Sequence, residues 1–277
     1  MKRFKPIVFL SAITFIIMII TNALANILPI NGIRTGAVSD SYPNLFAPAG
    51  FTFIIWGVIY LLLAIFVLHS FNVFQRQDNQ ITEETTEQVL ALFSLSSILN
   101  SIWIFTWHYR IIWLSMILMV LILVCLIQIR RLLVRQRMSR VEKGIFLLPF
   151  TVYFGWITVA TIANATTLLV DLSWNGFGIP ESWWTVIIVI IGAWIGGTTL
   201  AKFRDYGYGA VLIWAYFGIL MKHIDGTLGF SGAYPEIIVA VGLSLAFFLV
   251  IMVFILRANR LRNERKNQTK QRNEKEA

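Results

Sequence analysis

One apolar segment carries residues that can bind a flat organic molecule. At positions i, i+3, i+7 and i+11 of this segment stand Tyr153, Trp156, Ala160 and Asn164. A helix places such positions on one face, so it would present a phenol, an indole, a small gap and a carboxamide together. Lipid offers a carboxamide no hydrogen bond. We therefore expect this face to contact either protein or a ligand.

Two further apolar segments carry a similar stripe. The first has Asn100, Trp103 and Trp107 at i, i+3 and i+7, and the second has Trp56 and Tyr60 at i and i+4. If the stripes converge, they form an aromatic pocket with a few polar groups, which is the usual composition of a small-molecule site. Aromatic residues also gather at membrane interfaces, and a buried asparagine can simply join two helices. The spacing alone leaves both interpretations open.

Residue patterns for catalysis are sparse. The histidines His69, His108 and His223 are far apart in sequence, and there is no glycine-rich phosphate loop. No carboxylate falls at the centre of an apolar segment, which weakens a proton-coupled carrier. His108 alone could ligate a haem iron, but we expect it, like the Lys222-His223-Asp225 group, at a solvated loop end. An enzyme is therefore not favoured, and no cofactor is required.

The composition indicates an all-α integral membrane protein. Hydrophobic residues make up 57% of the 277 residues and charged residues only 13%, with a mean hydropathy of +0.73. Soluble domains are on average about a quarter charged. A bilayer core requires about 20 helical residues. The sequence predicts about eight transmembrane helices, near residues 7–29, 48–71, 88–107, 111–129, 144–170, 183–201, 206–221 and 235–256, of which the seventh is short.

Lysine and arginine orient these helices. With the N-terminus in the cytoplasm, only Arg34, Arg110 and Lys222 of the 23 basic residues fall on the other side. Both termini are therefore expected in the cytoplasm and the protein in the cell membrane. The net charge is +9, and the basic residues that produce it cluster just beyond helix ends, where they would meet anionic lipid headgroups. This location argues against a nucleic acid as the partner.

The two ends of the chain carry separate expectations. The apolar run after Lys5 exceeds the roughly 7–15 residues of a secretory signal, so we expect a retained first helix. From about Asn259 the chain is polar and charged, and we expect residues 259–277 to form a disordered basic tail in the cytoplasm.

Three of the apolar segments resemble one family, the tryptophan-rich sensory proteins, also called translocator proteins or peripheral benzodiazepine receptors. The family's pattern Tyr-x-x-Trp-x-x-x-Ala-x-x-x-Asn matches the segment that begins at Tyr153. Its Pro-Pro entry followed by Trp-x-x-Leu-Tyr resembles Ala47-Pro48 and the segment from Trp56 to Tyr60, and its Asn-x-x-Trp resembles the segment that begins at Asn100. Val152, Ala47 and Ile59 depart from these patterns.

The resemblance implies a five-helix translocator-like domain over residues 1–170, followed by three additional transmembrane helices over residues 171–258. Members of the family are associated with porphyrins and other hydrophobic ligands, with sensory or transport roles, and often with homodimers. The resemblance therefore implies a membrane protein that binds a hydrophobic or aromatic small molecule, with a porphyrin or haem as the foremost ligand. A transporter of such a ligand is the alternative, and an enzyme that acts on a bound tetrapyrrole is a third class.

The same resemblance assigns residues to the site. The loop from about Pro29 to Ala47 would cover the mouth of the cavity, although it could also be an ordinary connector. The residues expected to line the cavity are Trp56, Tyr60, Asn100, Trp103, Trp107, Tyr153, Trp156, Ala160 and Asn164.

Overall fold

The structure is a computed structural model that describes residues 5–28, 30–73 and 81–276, with side chains as far as Leu261. Within this part of the chain, eight helices are long and apolar enough to cross a membrane. The predicted all-α integral membrane fold is thereby confirmed. Each of the eight predicted segments corresponds to one of these helices.

The helices are labelled in chain order. They are α1 (Pro6–Ile27), α2 (Thr35–Asp40), α3 (Ile55–Val73), α4 (Glu83–His108), α5 (Ile112–Leu133), α6 (Arg140–Glu142), α7 (Leu148–Asp171), α8 (Glu181–Phe203), α9 (Tyr206–Ile224) and α10 (Pro235–Glu276). The short helices α2 and α6 do not span. A 3₁₀ turn, Gly50–Ile54, leads into α3, and a π-turn, Lys143–Leu147, leads into α7.

Local sequence signals set the helix boundaries. Pro6 stands at the first position of α1, where its missing N–H costs nothing, and Pro149 follows the π-turn that leads into α7. The boundary between α8 and α9, the least distinct in the sequence, is made by two residues. Arg204 adopts a left-handed conformation with φ of 50°, and the Asp205 carboxylate then accepts a hydrogen bond from the Gly207 N–H at 3.0 Å. These two residues end one helix and cap the next.

Helix α7 is the most enclosed helix of the bundle. Every residue from Pro149 to Val159 is buried, because α3, α5 and α9 all pack against this helix. Helix α4 packs between α1 and α5, while α10 packs against both α8 and α9. The three C-terminal helices therefore join the first five mainly through the contact of α9 with α7.

A buried ion pair strengthens this junction. Arg130 of α5 donates through Nη1 to the Asp205 carboxylate and to the Thr151 hydroxyl of α7, both at 2.7 Å. The Arg130 side chain is only 3% exposed, and its guanidinium lies 4.4 Å from the centre of the Phe203 ring. The pair thus ties α5 and α7 to the turn between α8 and α9.

The conformation of the C-terminal tail differs from the sequence-based expectation. Instead of a disordered segment after about residue 259, the structure continues α10 to Glu276. The physical reason lies in the composition: residues 259–277 contain no glycine or proline and are rich in Arg, Lys, Glu and Gln, all good helix formers.

Candidate functional site

An aromatic cavity lies between α3, α4, α5 and α7 in the half of the bundle farther from residue 5. Its free volume is about 60 Å³. We call this space the aromatic cavity and define it by its lining residues. They are Thr35, Ser39, Asn44, Ala47, Pro48, Phe53, Trp56, Trp103, Trp107, Met119, Trp156, Val159, Ala160, Ala163, Asn164 and Thr167.

The rings of the cavity form flat walls. Trp103 and Trp107 stack with ring centroids 5.8 Å apart and an angle of 22° between their planes. Trp156 meets Trp56 edge to face at 6.3 Å and Phe53 edge to face at 5.8 Å. Such pairs add roughly 0.5–1.5 kcal/mol each beyond the burial of their area. The walls are therefore held in fixed orientations before any ligand arrives.

Six of the nine predicted site residues line this cavity: Trp56, Trp103, Trp107, Trp156, Ala160 and Asn164. The other three, Tyr60, Asn100 and Tyr153, lie deeper in the bundle and do not line it. Helical phase placed them on the correct face, but a helix advances about 1.5 Å per residue. Tyr153 therefore lies about 10 Å below Ala160 along α7.

The three deeper residues lie beneath the cavity and pack within the bundle. Asn22 Nδ2 of α1 donates to Asn100 Oδ1 at 2.8 Å, and Asn100 Nδ2 donates to the Tyr153 hydroxyl at 3.3 Å. The side chains of Asn22, Asn100 and Tyr153 are buried. Tyr60 stacks under Trp56 with ring centroids 5.5 Å apart. These contacts join α1, α4 and α7, so the role of Asn100 and Tyr153 in this structure is to hold helices together.

The carboxamide of Asn164 faces a partner on α5. The Ser115 hydroxyl lies 3.1 Å from both Asn164 Oδ1 and Asn164 Nδ2. Asn164 is 3% exposed and also lines the aromatic cavity. The carboxamide is therefore held by Ser115, which orients the side chain at the cavity wall.

Two indole N–H groups in the wall have no partner. Nε1 of Trp103 and Nε1 of Trp156 are buried and make no hydrogen bond in the structure. A buried donor without an acceptor costs about 1–3 kcal/mol. Both side chains line the aromatic cavity. The cavity thus combines apolar rings with two unsatisfied hydrogen-bond donors.

Residues 30–47 lie over the aromatic cavity, and we call them the cover. Thr35, Ser39, Asn44 and Ala47 of this segment contribute to the lining. The cover is bonded to the end of α4: Trp107 Nε1 donates to the Thr35 carbonyl at 3.2 Å, and His108 Nε2 lies 2.9 Å from the Thr35 hydroxyl. His108 Nδ1 lies 3.1 Å from the carbonyl of Ile30.

The two histidines near this end are buried rather than solvated. His108 has no exposed surface, and both its ring nitrogens contact the cover, so neither is free for a haem iron. His223 of α9 is also fully buried, and its Nε2 donates to the Leu45 carbonyl at 2.9 Å. The expectation of solvated loop ends was therefore wrong for both histidines. Their burial follows from their bonds to the cover.

Helix α9 contacts the cover and also the segment that follows it, residues 49–52. Besides the bond from His223, the Ala49 N–H donates to the Gly218 carbonyl at 3.0 Å, and Trp214 Nε1 donates to the Thr52 carbonyl at 2.9 Å. A Cβ on Gly218 would lie 2.1 Å from the Thr52 hydroxyl, so only glycine permits this approach. The C-terminal helices therefore help to position the roof of the aromatic cavity.

A second pocket lies beside the aromatic cavity, between α7, α8 and the turn that joins them. We call it the distal pocket; its free volume is about 400 Å³. Asn44 lines both spaces. Its Nδ2 donates to the Thr166 hydroxyl at 2.7 Å, and its Oδ1 accepts from the Phe46 N–H at 2.9 Å. Asn44 thus forms part of the partition between the two spaces.

Several lining residues were missed by sequence reasoning. Phe53 stands three residues before Trp56, and this one-turn spacing could have pointed to it. The loop from about Pro29 to Ala47 was expected to cover the cavity or to be a connector; its described part, from Ile30, contributes to the lining, whereas Pro29 lies outside the described residues. Which residues of this loop line the cavity, and the place of Met119 of α5, gave no comparable signal, because both depend on how distant segments fold together. Among the described residues, no group of three or more His, Cys, Asp or Glu side chains is arranged to hold a metal ion.

Fold and site together define an all-α integral membrane protein with an aromatic cavity under a loop. A family model described as "TSPO-like protein" matches residues 8–255. The chain therefore belongs to the TSPO-like family, and the match includes the three helices beyond residue 170 that the sequence patterns did not cover. Comparison with curated proteins and with solved structures gave no match.

Proposed function

We propose that this TSPO-like membrane protein binds a flat hydrophobic small molecule in the aromatic cavity and serves a sensory or regulatory role. The observation that carries the proposal is the pair of unpartnered indole N–H groups on Trp103 and Trp156. A ligand with hydrogen-bond acceptors would supply the missing partners. The stacked pair Trp103–Trp107 offers such a ligand a flat surface.

A porphyrin-type tetrapyrrole, porphyrin or haem, is the ligand class that we propose. It combines a large flat ring with carboxylate acceptors. The ligand would bind through rings and indole N–H groups, and His108 would not ligate an iron because the cover occupies both its ring nitrogens.

The cover would move when a ligand enters. Sites for small molecules typically enclose about 300–1,000 Å³, whereas the aromatic cavity has about 60 Å³. The structure thus resembles a closed state. The bonds from Trp107, His108 and His223 to the cover would break or shift during entry.

Binding is favoured over transport by what lies beneath the cavity. Toward the other end of the bundle, Phe66 contacts Phe93, Phe146 and Phe150 with ring centroids 4.8–5.7 Å apart. These four side chains are buried and fill the space between α3, α4 and α7. A transported ligand would have to displace this cluster.

We also propose a cell-membrane location with both termini in the cytoplasm. The proposal rests on the basic residues, of which all but Arg34, Arg110 and Lys222 fall on one side. The basic residues beyond the helix ends would contact anionic headgroups, each worth about 1 kcal/mol. A homodimer through a helix face is a further proposal that follows from the family.

The test is Ala160→Phe. Ala160 is half-buried in the cavity wall, so a phenylalanine should fill the cavity and abolish the binding of protoporphyrin IX. The free energy of unfolding should change by less than about 1 kcal/mol, because the new ring would enter the cavity. If Ala160 instead lay at a packed helix contact, overpacking it would typically cost about 1–3 kcal/mol. Binding is measured by titration of the purified protein in lipid nanodiscs, and stability is measured by thermal unfolding of the same sample.

The matched control is Ala165→Phe, which adds the same ring to α7 at a half-buried position outside the lining. This variant should bind protoporphyrin IX like the wild type. Normal binding by a destabilised Ala160→Phe protein would show that Ala160 is a packing position, and the proposed site would be wrong.

A further inference from the structure

The distal pocket is a second candidate site, separate from the aromatic cavity. Its free volume of about 400 Å³ lies within the usual range of about 300–1,000 Å³ for ligand sites. The bond from Asn44 to Thr166 helps to separate it from the aromatic cavity. It is built on α8 and on the turn after α7. It therefore depends on helices that lie beyond the five-helix pattern.

The lining of the distal pocket combines aromatic rings with one carboxylate and has no basic residue. Two indole rings, Trp174 and Trp184, meet at 4.8 Å with an angle of 58° and form a corner of the pocket. The lining contains a single charged residue, Glu181, and no lysine or arginine. Within the described residues, the Glu181 carboxylate makes no ion pair. Aromatic faces beside an unpaired carboxylate favour a cation.

The loops and helix ends around the pocket carry more acidic than basic residues. At this end of the bundle the loops and helix ends carry five carboxylates, Asp40, Asp171, Glu181, Asp225 and Glu236, against three basic residues, Arg34, Arg110 and Lys222. Lys222 is paired with Asp40 at 3.5 Å. The net charge of the loops and helix ends on this side is therefore negative, which favours the approach of cations over anions.

The corner of the pocket is rigid. Trp184 Nε1 donates to the Gly176 carbonyl at 2.5 Å, and Trp174 also contacts Phe177 edge to face at 5.5 Å. Asn175 accepts from the Phe177 N–H at 3.1 Å, which fixes the turn between α7 and α8. A ligand would thus meet rings that are already in place, so little rotational freedom is lost on binding.

We infer that the distal pocket binds an organic cation with an apolar or aromatic body, such as a quaternary ammonium compound. The indole faces of Trp174 and Trp184 would contact the cationic head, and the Glu181 carboxylate would neutralise it. The ordinary alternative is that Glu181 serves α8 alone, because a carboxylate in the first turn of a helix is stabilised by the helix dipole.

The experiment compares two probes with the same benzyl body and opposite charges, benzyltrimethylammonium and phenylmethanesulfonate. Each is titrated calorimetrically into the full chain in nanodiscs of neutral phosphatidylcholine, with empty nanodiscs as the blank. The wild type should bind the ammonium and not the sulfonate. Glu181→Gln should weaken the ammonium roughly five- to ten-fold, as expected for losing one counter-charge near the surface.

The matched control is Glu236→Gln. Glu236 is the same residue type in the first turn of α10 at the same end, but it does not line the distal pocket. This variant should keep wild-type ammonium binding, and so should Ala160→Phe, because the inference does not depend on the aromatic cavity. Equal binding of both probes, no ammonium binding by the wild type, or equal losses in both Gln variants would each overturn the inference.

Discussion

At the scale of single residues, the two unpartnered indoles of the aromatic cavity can be compared with a paired one. Trp156 has a buried N–H without an acceptor, whereas Trp214 of α9 donates its N–H to the Thr52 carbonyl at 2.9 Å. The Trp214 N–H is thus engaged by protein, whereas the Trp156 N–H is not.

We expect Trp214→Phe to affect mainly stability and Trp156→Phe to affect mainly ligand binding. Trp214→Phe removes the indole hydrogen bond to the Thr52 carbonyl, which keeps the Ile55 N–H as a donor, and should cost about 1 kcal/mol more in unfolding free energy than Trp156→Phe. Trp156→Phe should weaken the binding of protoporphyrin IX about five-fold, which is the factor equivalent to one net hydrogen bond. Thermal unfolding and ligand titration measure the two effects. A reversed order in either measurement would contradict the assigned role of Trp156.

The sequence predicted which face of each helix matters, but not the depth of each residue. Trp103 and Asn100 share a face of α4, yet only Trp103 reaches the aromatic cavity. Periodicity gives an angle around the helix axis and says nothing about where the neighbouring helices separate. The resemblance implied a loop over the cavity, but the particular lining residues of that loop and Met119 were missed for a related reason: their place depends on contacts between distant segments.

At the scale of helices, the apolar lengths in the sequence were sufficient to place all eight spans. The end of α10 was not predicted, because the composition of this segment carries two opposed signals. Its polarity and charge favour disorder, whereas its many good helix formers favour a helix. The contribution of α9 to the cover could not be seen either. It depends on His223, Gly218 and Trp214, none of which forms a recognisable motif.

The junction between the first five helices and the last three can be tested through Asp205. Asp205→Asn removes the counter-charge of buried Arg130, and breaking such a pair typically costs about 3–5 kcal/mol of stability. The control is Asp225→Asn. Asp225 also accepts backbone N–H bonds at a turn, but its carboxylate is not part of a buried pair and asparagine keeps an accepting oxygen, so we expect a much smaller loss of stability than for Asp205→Asn.

Unfolding of both variants is followed by circular dichroism in the same detergent. A loss of stability in Asp205→Asn no greater than in Asp225→Asn would mean that the Arg130–Asp205 pair contributes little to the junction.

At the scale of the whole molecule, an even number of spans with a cytoplasmic N-terminus would put the C-terminus in the cytoplasm as well. A reporter fused after Ala277 should therefore report the cytoplasm, and one inserted near Asp171 should report the opposite side. The physical reason is the preference of lysine and arginine for the cytoplasmic side. A third insertion near Arg137, in the basic turn between α5 and α6, serves as the control and should agree with the C-terminus. Agreement between the Asp171 and Ala277 reporters would contradict the eight-helix topology.

The closed cover also has a consequence for the speed of binding. If only molecules with an open cover admit a ligand, the apparent affinity is lowered by the fraction that is open at any moment. The observed rate of association would then rise with ligand concentration only until it equals the rate of opening, and it would level off there. Loosening the bond between His223 and Leu45 would raise that plateau, so the C-terminal helices would set how quickly the protein responds.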